Sequence, residues 1–304
     1  MRTCNLFLAV MLTAALPVCA LVNSGNPGGN RTAPTGLNGE PADPGFDRVG
    51  LNGAASGVYL GEGWVLTARH LPAKTFTLDG ITYEWDGVND YKFPDTELRL
   101  FRLANAPEMP VLPMISQTPR PGENVIMVGA GRDCEDHVTY WYVDKTTQPI
   151  TWTEVPTRGE ANAGGVLSGD GSIISWGTNL VSSVMPHPKL GALIITDFTE
   201  NPATRTTFEA QAVSYDNGGA LFTETDGEWK LAGIMITVSK LFPEQPGVNK
   251  EPGGPKTIGS GVFGNVTISI NLAPYSHRIL QVMANSKPAP QFAEMQPRPE
   301  MSMN

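Results

Sequence analysis

Cysteine is scarce: three residues in a chain of 304. Cys4 and Cys19 fall inside an N-terminal segment that reads as removable, so only Cys134 is expected in a mature chain. No intrachain disulfide could then form, and stability has to come from a packed core. Charge is also sparse, at 17% of residues, with a formal net charge of −9 and no run rich in Lys or Arg. A surface of that sign repels phosphate backbones, so nucleic acid is excluded as an expected partner. His137, His187 and His277 show no ligand spacing with one another or with carboxylates, and neither a metal nor a cofactor is expected. After the N-terminal segment no apolar run is long enough to span a bilayer, so no membrane partner is expected.

What is present is apolar residues in short runs, divided by turn formers. Hydrophobic residues reach 40%, enough for a core, and the chain carries 33 glycines and 26 prolines without collagen periodicity. Runs such as Val58–Leu60, Trp64–Thr67, Ile81–Trp85, Leu98–Leu103, Val125–Val128, Leu193–Thr196, Ala220–Thr223, Leu231–Val238 and Val262–Ile270 are β-branched or aromatic and evenly spaced. That pattern predicts an all-β sandwich or barrel. Ile279, Leu280 and Met283 recur at helical spacing and predict a short helix within Leu272–Met283.

The ends differ from the middle. Arg2, the apolar stretch Leu6–Leu16 and the small residues Val18 and Ala20 have the layout of a signal peptide over residues 1–20, with Leu21 as the mature start. This predicts export to the periplasm or the medium. Residues 21–45 are rich in Gly, Pro and Asn and read as a flexible leader, and residues 286–304 read as a disordered Pro/Met-rich tail. The domain is expected over 46–285.

Three segments carry chemistry. The first is GVYLGEGWVLTARHL, residues 57–71, an apolar strand, a tight turn and Trp-Val-Leu-Thr-Ala-x-His ending on His70. The second is PDTELRLFRL, residues 94–103, an acid at the start of an apolar strand, and the third is SYDNGGALF, residues 214–222. By itself the third reads as a hairpin, because Asn-Gly between strands is a strong turn signal. Together and in this order the three resemble the histidine, acid and nucleophile motifs of the trypsin/chymotrypsin-like serine peptidases, in a bacterial-type, disulfide-free form. The following Leu231–Ile236 resembles that family's pocket-lining strand.

The resemblance implies two six-stranded antiparallel Greek-key β-barrels, over roughly 46–118 and 119–272, with a short C-terminal helix. It places His70 as the general base and Asn217 at the position of the serine nucleophile. The acid is Glu97 if Leu100-Phe101-Arg102-Leu103 is aligned on the family's strand ending; the other register puts Asp95 there. Backbone N–H groups of Tyr215 and Asn217 fall at the oxyanion hole, and Gln211 and Ile236 at the specificity pocket. Gln211 is neutral, so a preference for Lys or Arg substrates is not implied. Arg48-Val49-Gly50 looks like an activation cleavage site but lies too close to His70 for one, since Phe46–Ala54 is needed as the first strand. Activation by a new N-terminus is therefore not expected, and Asp216, whose family counterpart pairs with that terminus, would need another partner.

Asparagine offers no hydroxyl for His70 to activate. The chain is thus expected to be an impaired peptidase homologue that binds a peptide or protein ligand in the cleft between its barrels. The alternative is an active endopeptidase with an unconventional triad, in which Ser214 has taken over.

Overall fold

A computed structural model of the chain describes residues 20–25, 30–239, 245–246 and 259–286, without the side chains of 169–171. The expected signal segment up to residue 19 and the expected tail from residue 287 lie outside the described residues.

The alternating apolar runs form strands. In chain order these are β1 (Val22–Asn23), β2 (Val49–Asn52), β3 (Ala55–Gly61), β4 (Trp64–Ala68), β5 (Phe76–Leu78), β6 (Ile81–Tyr83), β7 (Trp85–Lys92) and β8 (Leu98–Leu103). The second half continues with β9 (Asn124–Gly129), β10 (Arg132–Cys134), β11 (Thr139–Asp144), β12 (Thr151–Val155), β13 (Ala163–Ser172), β14 (Ser175–His187) and β15 (Gly191–Asp197). It ends with β16 (Ala210–Gln211), β17 (Ala220–Thr225), β18 (Glu228–Ser239), β19 (Ser260–Val262) and β20 (Val266–Asn271), then helix α1 (Ser276–Ala284). The helix starts later than its periodicity suggests, because the backbone first turns at Leu272, whose carbonyl accepts the Tyr275 N–H at 2.8 Å.

Strands β14-β15-β20-β18-β17-β9 close into an antiparallel barrel. The N-terminal half is a seven-stranded sheet in the order β6-β5-β2-β3-β4-β8-β7. Its two edge strands, β6 and β7, are consecutive in the chain and separated only by Glu84. The sheet therefore curls round on itself but has no ladder between β6 and β7. The expected all-β, trypsin-like fold of two barrels with a short C-terminal helix is present, its halves being one closed six-stranded barrel and one curled half-barrel. The register of β7 on β8 slips between Trp85 and Asp90, and such irregularity ends regular pairing at an edge. Strands β10, β13, β11, β12 and β19 form a further small sheet.

One apolar cluster runs through both halves. Val58, Leu60, Leu66, Leu98 and Leu100 of the half-barrel pack with Val125, Met127, Leu221, Ile234 and Ile270 of the barrel. Helix α1 caps it with Ile279 and Met283. Burial of this set is what fixes one half against the other.

Two further expectations are overturned. The leader over 21–45 is not all free of the domain: Leu21 and Val22 are fully buried, and β1 pairs with β16 in the register Val22↔Gln211. Two apolar side chains and two backbone pairs suffice to anchor a stretch whose composition is otherwise loop-like. Cys134 is disulfide-bonded, whereas a chain without disulfides was expected. The other two cysteines, Cys4 and Cys19, lie outside the described residues.

Candidate active site

Antiparallel pairing of β4 with β8, in the register Ala68↔Leu98, places the residues just past β4 beside those just before β8. The Arg69 N–H donates to the Glu97 carbonyl at 2.9 Å and fixes that junction. His70 and Glu97 thereby face each other, with His70 Nδ1 3.2 Å from Glu97 Oε2. On the far side of the ring, Asn217 Nδ2 lies 3.3 Å from His70 Nε2. An amide NH₂ only donates, so Nε2 is the acceptor and the imidazole proton sits on Nδ1, where it donates to Glu97. His70 is 45% exposed and Glu97 24%, so the imidazole edge stays open to solvent.

Asp95 is not part of this chain of contacts. Its Oδ1 accepts from Arg278 Nη1 of α1 at 3.0 Å. Arg278 is stacked over Tyr91 and Phe93, at 5.6 and 5.2 Å from their ring centroids, which draws Asp95 toward the helix.

Backbone bonds shape the loop that carries Asn217. The Gly218 N–H donates to the Met235 carbonyl at 2.7 Å, and the Gly219 N–H to the Asp216 carbonyl at 2.9 Å. Gly218 has φ +91°, and a Cβ there would overlap the Ser56 carbonyl oxygen and the Thr67 hydroxyl. Only glycine fits. Tyr215 also takes a left-handed conformation, with φ +76°, at a cost of about 1–2 kcal/mol for a residue with a side chain. Its ring lies 5.3 Å from the Arg132 guanidinium carbon, a cation–π contact that offsets part of that cost. Among the described residues, the backbone N–H groups of Tyr215 and Asn217 donate to no protein acceptor.

Asp216 points away from the cleft and is fully buried. Its Oδ1 accepts the Gly131 N–H at 3.0 Å and its Oδ2 the Val213 N–H at 2.8 Å. Burial pushes its carboxyl from 3.8 up to about 7, against the pull of those two hydrogen bonds. The Leu21 side chain crowds the same face of Gly129 as the Asp216 carboxyl.

Gln211 and Ile236 are both buried. Gln211 donates to the Ala212 carbonyl at 3.1 Å, its Oε1 finds no partner among the described residues, and it lies beside Val22. Ser214, the alternative nucleophile, uses its carbonyl to accept the Arg132 N–H at 3.2 Å.

One residue central to the site escaped the sequence reading. Ser56 on β3 donates its hydroxyl to the Tyr215 carbonyl at 3.0 Å and accepts the Ala130 N–H at 2.9 Å. Its backbone N–H donates to the Asn217 carbonyl at 3.0 Å, and its carbonyl accepts the Thr67 hydroxyl at 2.8 Å. The available signal was a hydroxyl within an otherwise small and apolar strand, since a buried hydroxyl needs partners.

One closed barrel, a curled half-barrel and a short C-terminal helix, with this constellation between them, make the fold a trypsin-like serine peptidase fold. No family model and no curated protein matches the chain. Among solved structures it is similar to neuropsin, a serine protease expressed in the limbic system of mouse brain, with 13% identity over 84% of this chain and 98% of that one, at a TM-score of 0.46. It is similar to kallikrein-related peptidase 10, with 14% identity over 80% and 98% of the two chains, at 0.44. The HtrA-type protease AlgW with decapeptide is 17% identical over 76% of this chain, at 0.40, and this chain spans only 52% of it. These likenesses are remote, and no residue role follows from them.

Proposed function

We propose that this chain is an exported peptidase homologue that has lost efficient peptide cleavage and holds a peptide or protein segment in the cleft between its two halves. The observation that carries this reading is the amide of Asn217 at 3.3 Å from His70 Nε2. In a working triad that place belongs to a hydroxyl oxygen, which attacks while the imidazole takes its proton. The asparagine amide nitrogen shares its lone pair with the carbonyl, and its proton is not one that a histidine removes during turnover. Removing the nucleophile of a serine protease costs roughly a million-fold in kcat.

The rest of the constellation supports retained binding. Glu97 orients His70, and Tyr215 and Asn217 keep backbone N–H groups that are not used within the protein among the described residues. Such donors suit a peptide carbonyl. Export rests on the N-terminal segment. Cleavage after Ala20 would leave the amino group of Leu21 buried beside the Ser175 hydroxyl, which the Leu21 N–H meets at 3.0 Å.

The test pairs hydrolysis with binding. Casein digestion and fluorophosphonate labelling are expected to be negligible, while fluorescent casein peptides bind and lose affinity on His70→Ala. Hydrolysis of casein that His70→Ala abolishes would overturn the reading and turn attention to Ser214.

A further inference from the structure

Asparagine followed by glycine has two self-reactions. In the first, the backbone nitrogen of the glycine attacks the side-chain Cγ and expels ammonia, leaving a succinimide in an unbroken chain. In the second, the side-chain nitrogen attacks the asparagine's own carbonyl carbon and expels the glycine nitrogen, which cuts the chain. The first usually wins, because glycine leaves its nitrogen accessible and the amide nitrogen is the poorer nucleophile.

Around Asn217 the geometry reverses these advantages. The Gly218 N–H is committed to the Met235 carbonyl at 2.7 Å. Gly218 is also wedged at φ +91° against Ser56 and Thr67, so its nitrogen cannot swing onto Cγ without breaking the contact with β18. The side-chain nitrogen, in contrast, faces a base: Nδ2 lies 3.3 Å from His70 Nε2, and Glu97 holds the opposite ring nitrogen at 3.2 Å. The carbonyl to be attacked already accepts the Ser56 N–H at 3.0 Å, which stabilises charge on its oxygen. Closing a five-membered ring within one residue carries the large effective concentration of an intramolecular reaction, which compensates for a weak nucleophile in a single turnover.

We propose that Asn217 is a self-cleavage site, at which its side-chain amide cuts the Asn217–Gly218 peptide bond with His70 as the base. A bond forms between Nδ2 and the Asn217 carbonyl carbon, and the bond from that carbon to the Gly218 nitrogen breaks. One Nδ2 proton passes to His70 Nε2 and from there to the departing Gly218 nitrogen. The products are a fragment ending in a C-terminal succinimide and a fragment beginning at Gly218. No water or other reactant is consumed, so the two masses sum to that of the intact chain. Strand β17 keeps its ladders to β9 and β18, and the halves stay associated after cutting. This inference does not depend on the binding reading.

The experiment follows the purified full chain by intact mass spectrometry during days at neutral pH. Two fragments with the stated mass balance are expected, the larger later gaining one water as its succinimide opens. His70→Ala should slow their appearance by about a hundredfold. His70 is 45% exposed, so truncation spares the core, and far-UV circular dichroism checks this. Asn217→Gln, whose ring would be six-membered, and Asn217→Ala should abolish cutting. The proposal is overturned if the intact chain only gains the small mass of deamidation, or if no fragments form. Cutting at an unchanged rate in His70→Ala or Asn217→Gln would also overturn it, by exposing a contaminating protease.

Discussion

Replacing Asp216 by asparagine should reverse its effect on stability between acid and alkaline pH. The carboxyl is fully buried, its hydrogen-bond partners among the described residues are the N–H groups of Gly131 and Val213, and burial raises it from 3.8 to about 7. Below about pH 4 the group is protonated in both the folded and the unfolded chain and contributes no pH dependence. As pH rises from about 4 to 7 the unfolded chain releases this proton while the folded one retains it, so stability falls. A difference of about three pKa units at ~1.4 kcal/mol each gives a loss of about 4 kcal/mol, complete above about pH 7. Asparagine removes that slope. It also turns an NH₂ toward one of the two N–H donors and orphans it, at about 1–3 kcal/mol. The variant is therefore expected to be less stable than the parent by about 1–3 kcal/mol near pH 4 and more stable by a similar amount at pH 8, where the urea midpoint should rise by about 1 M. Tryptophan fluorescence of urea unfolding across this range measures it, and subtracting parent from variant cancels the other titrating groups. A variant less stable at pH 8 as well would refute the argument. It would mean that the folded state holds Asp216 charged.

Gly218→Ala should destabilise the fold by about 3 kcal/mol or more, since an added methyl group meets the Ser56 carbonyl and the Thr67 hydroxyl at a positive φ; a urea midpoint unchanged from the parent would contradict this. Ser56→Ala leaves the Tyr215 carbonyl and the Ala130 N–H without their shared hydroxyl, and should cost about 1–3 kcal/mol in the same assay. Asn217→Ser should alter stability by less than about 0.5 kcal/mol, because the backbone bonds that hold the loop run through residues 216, 218 and 219 and the Asn217 carbonyl. In that serine-containing background, fluorophosphonate labelling should be weak, and Glu97→Ala should reduce it while Asp95→Ala leaves it unchanged, since Asp95 pairs with Arg278.

Much of the fold was legible because burial writes itself into sequence with period two. Val58, Leu60, Leu66, Leu98 and Leu100, all fully buried, sit on runs that read as strands. Whether a sheet closes into a barrel is a different kind of fact. It depends on whether two edges find a common register, and β6 and β7 meet at Glu84 without one. No local pattern encodes that. The insertion of Leu21 and Val22 was hidden for another reason: their own neighbours are loop-like, and the surfaces that bury them, Gly129 for Leu21 and β16 with Gly261 for Val22, lie more than 100 residues along the chain.

The site divides along the same line. His70 and Glu97 are found together because each ends or begins a strand, and a single register, Ala68↔Leu98, decides which acid faces the ring. A shift by two residues would have brought up Asp95 instead, and Arg278 stacked on Tyr91 and Phe93 gives that residue a partner of its own. Asn217 reaches the imidazole by a route in which its side chain takes no part. Gly218 and Gly219 turn the chain, Met235 and Asp216 hold their N–H groups, and Ser56 clamps the carbonyls of Tyr215 and Asn217 from the opposite half of the molecule. A loop built from backbone bonds accepts any side chain of modest size at its apex. The residue on which the proposed loss of cleavage rests is thus among the least constrained by folding, so a side chain can be exchanged there while the architecture that presents it stays in place.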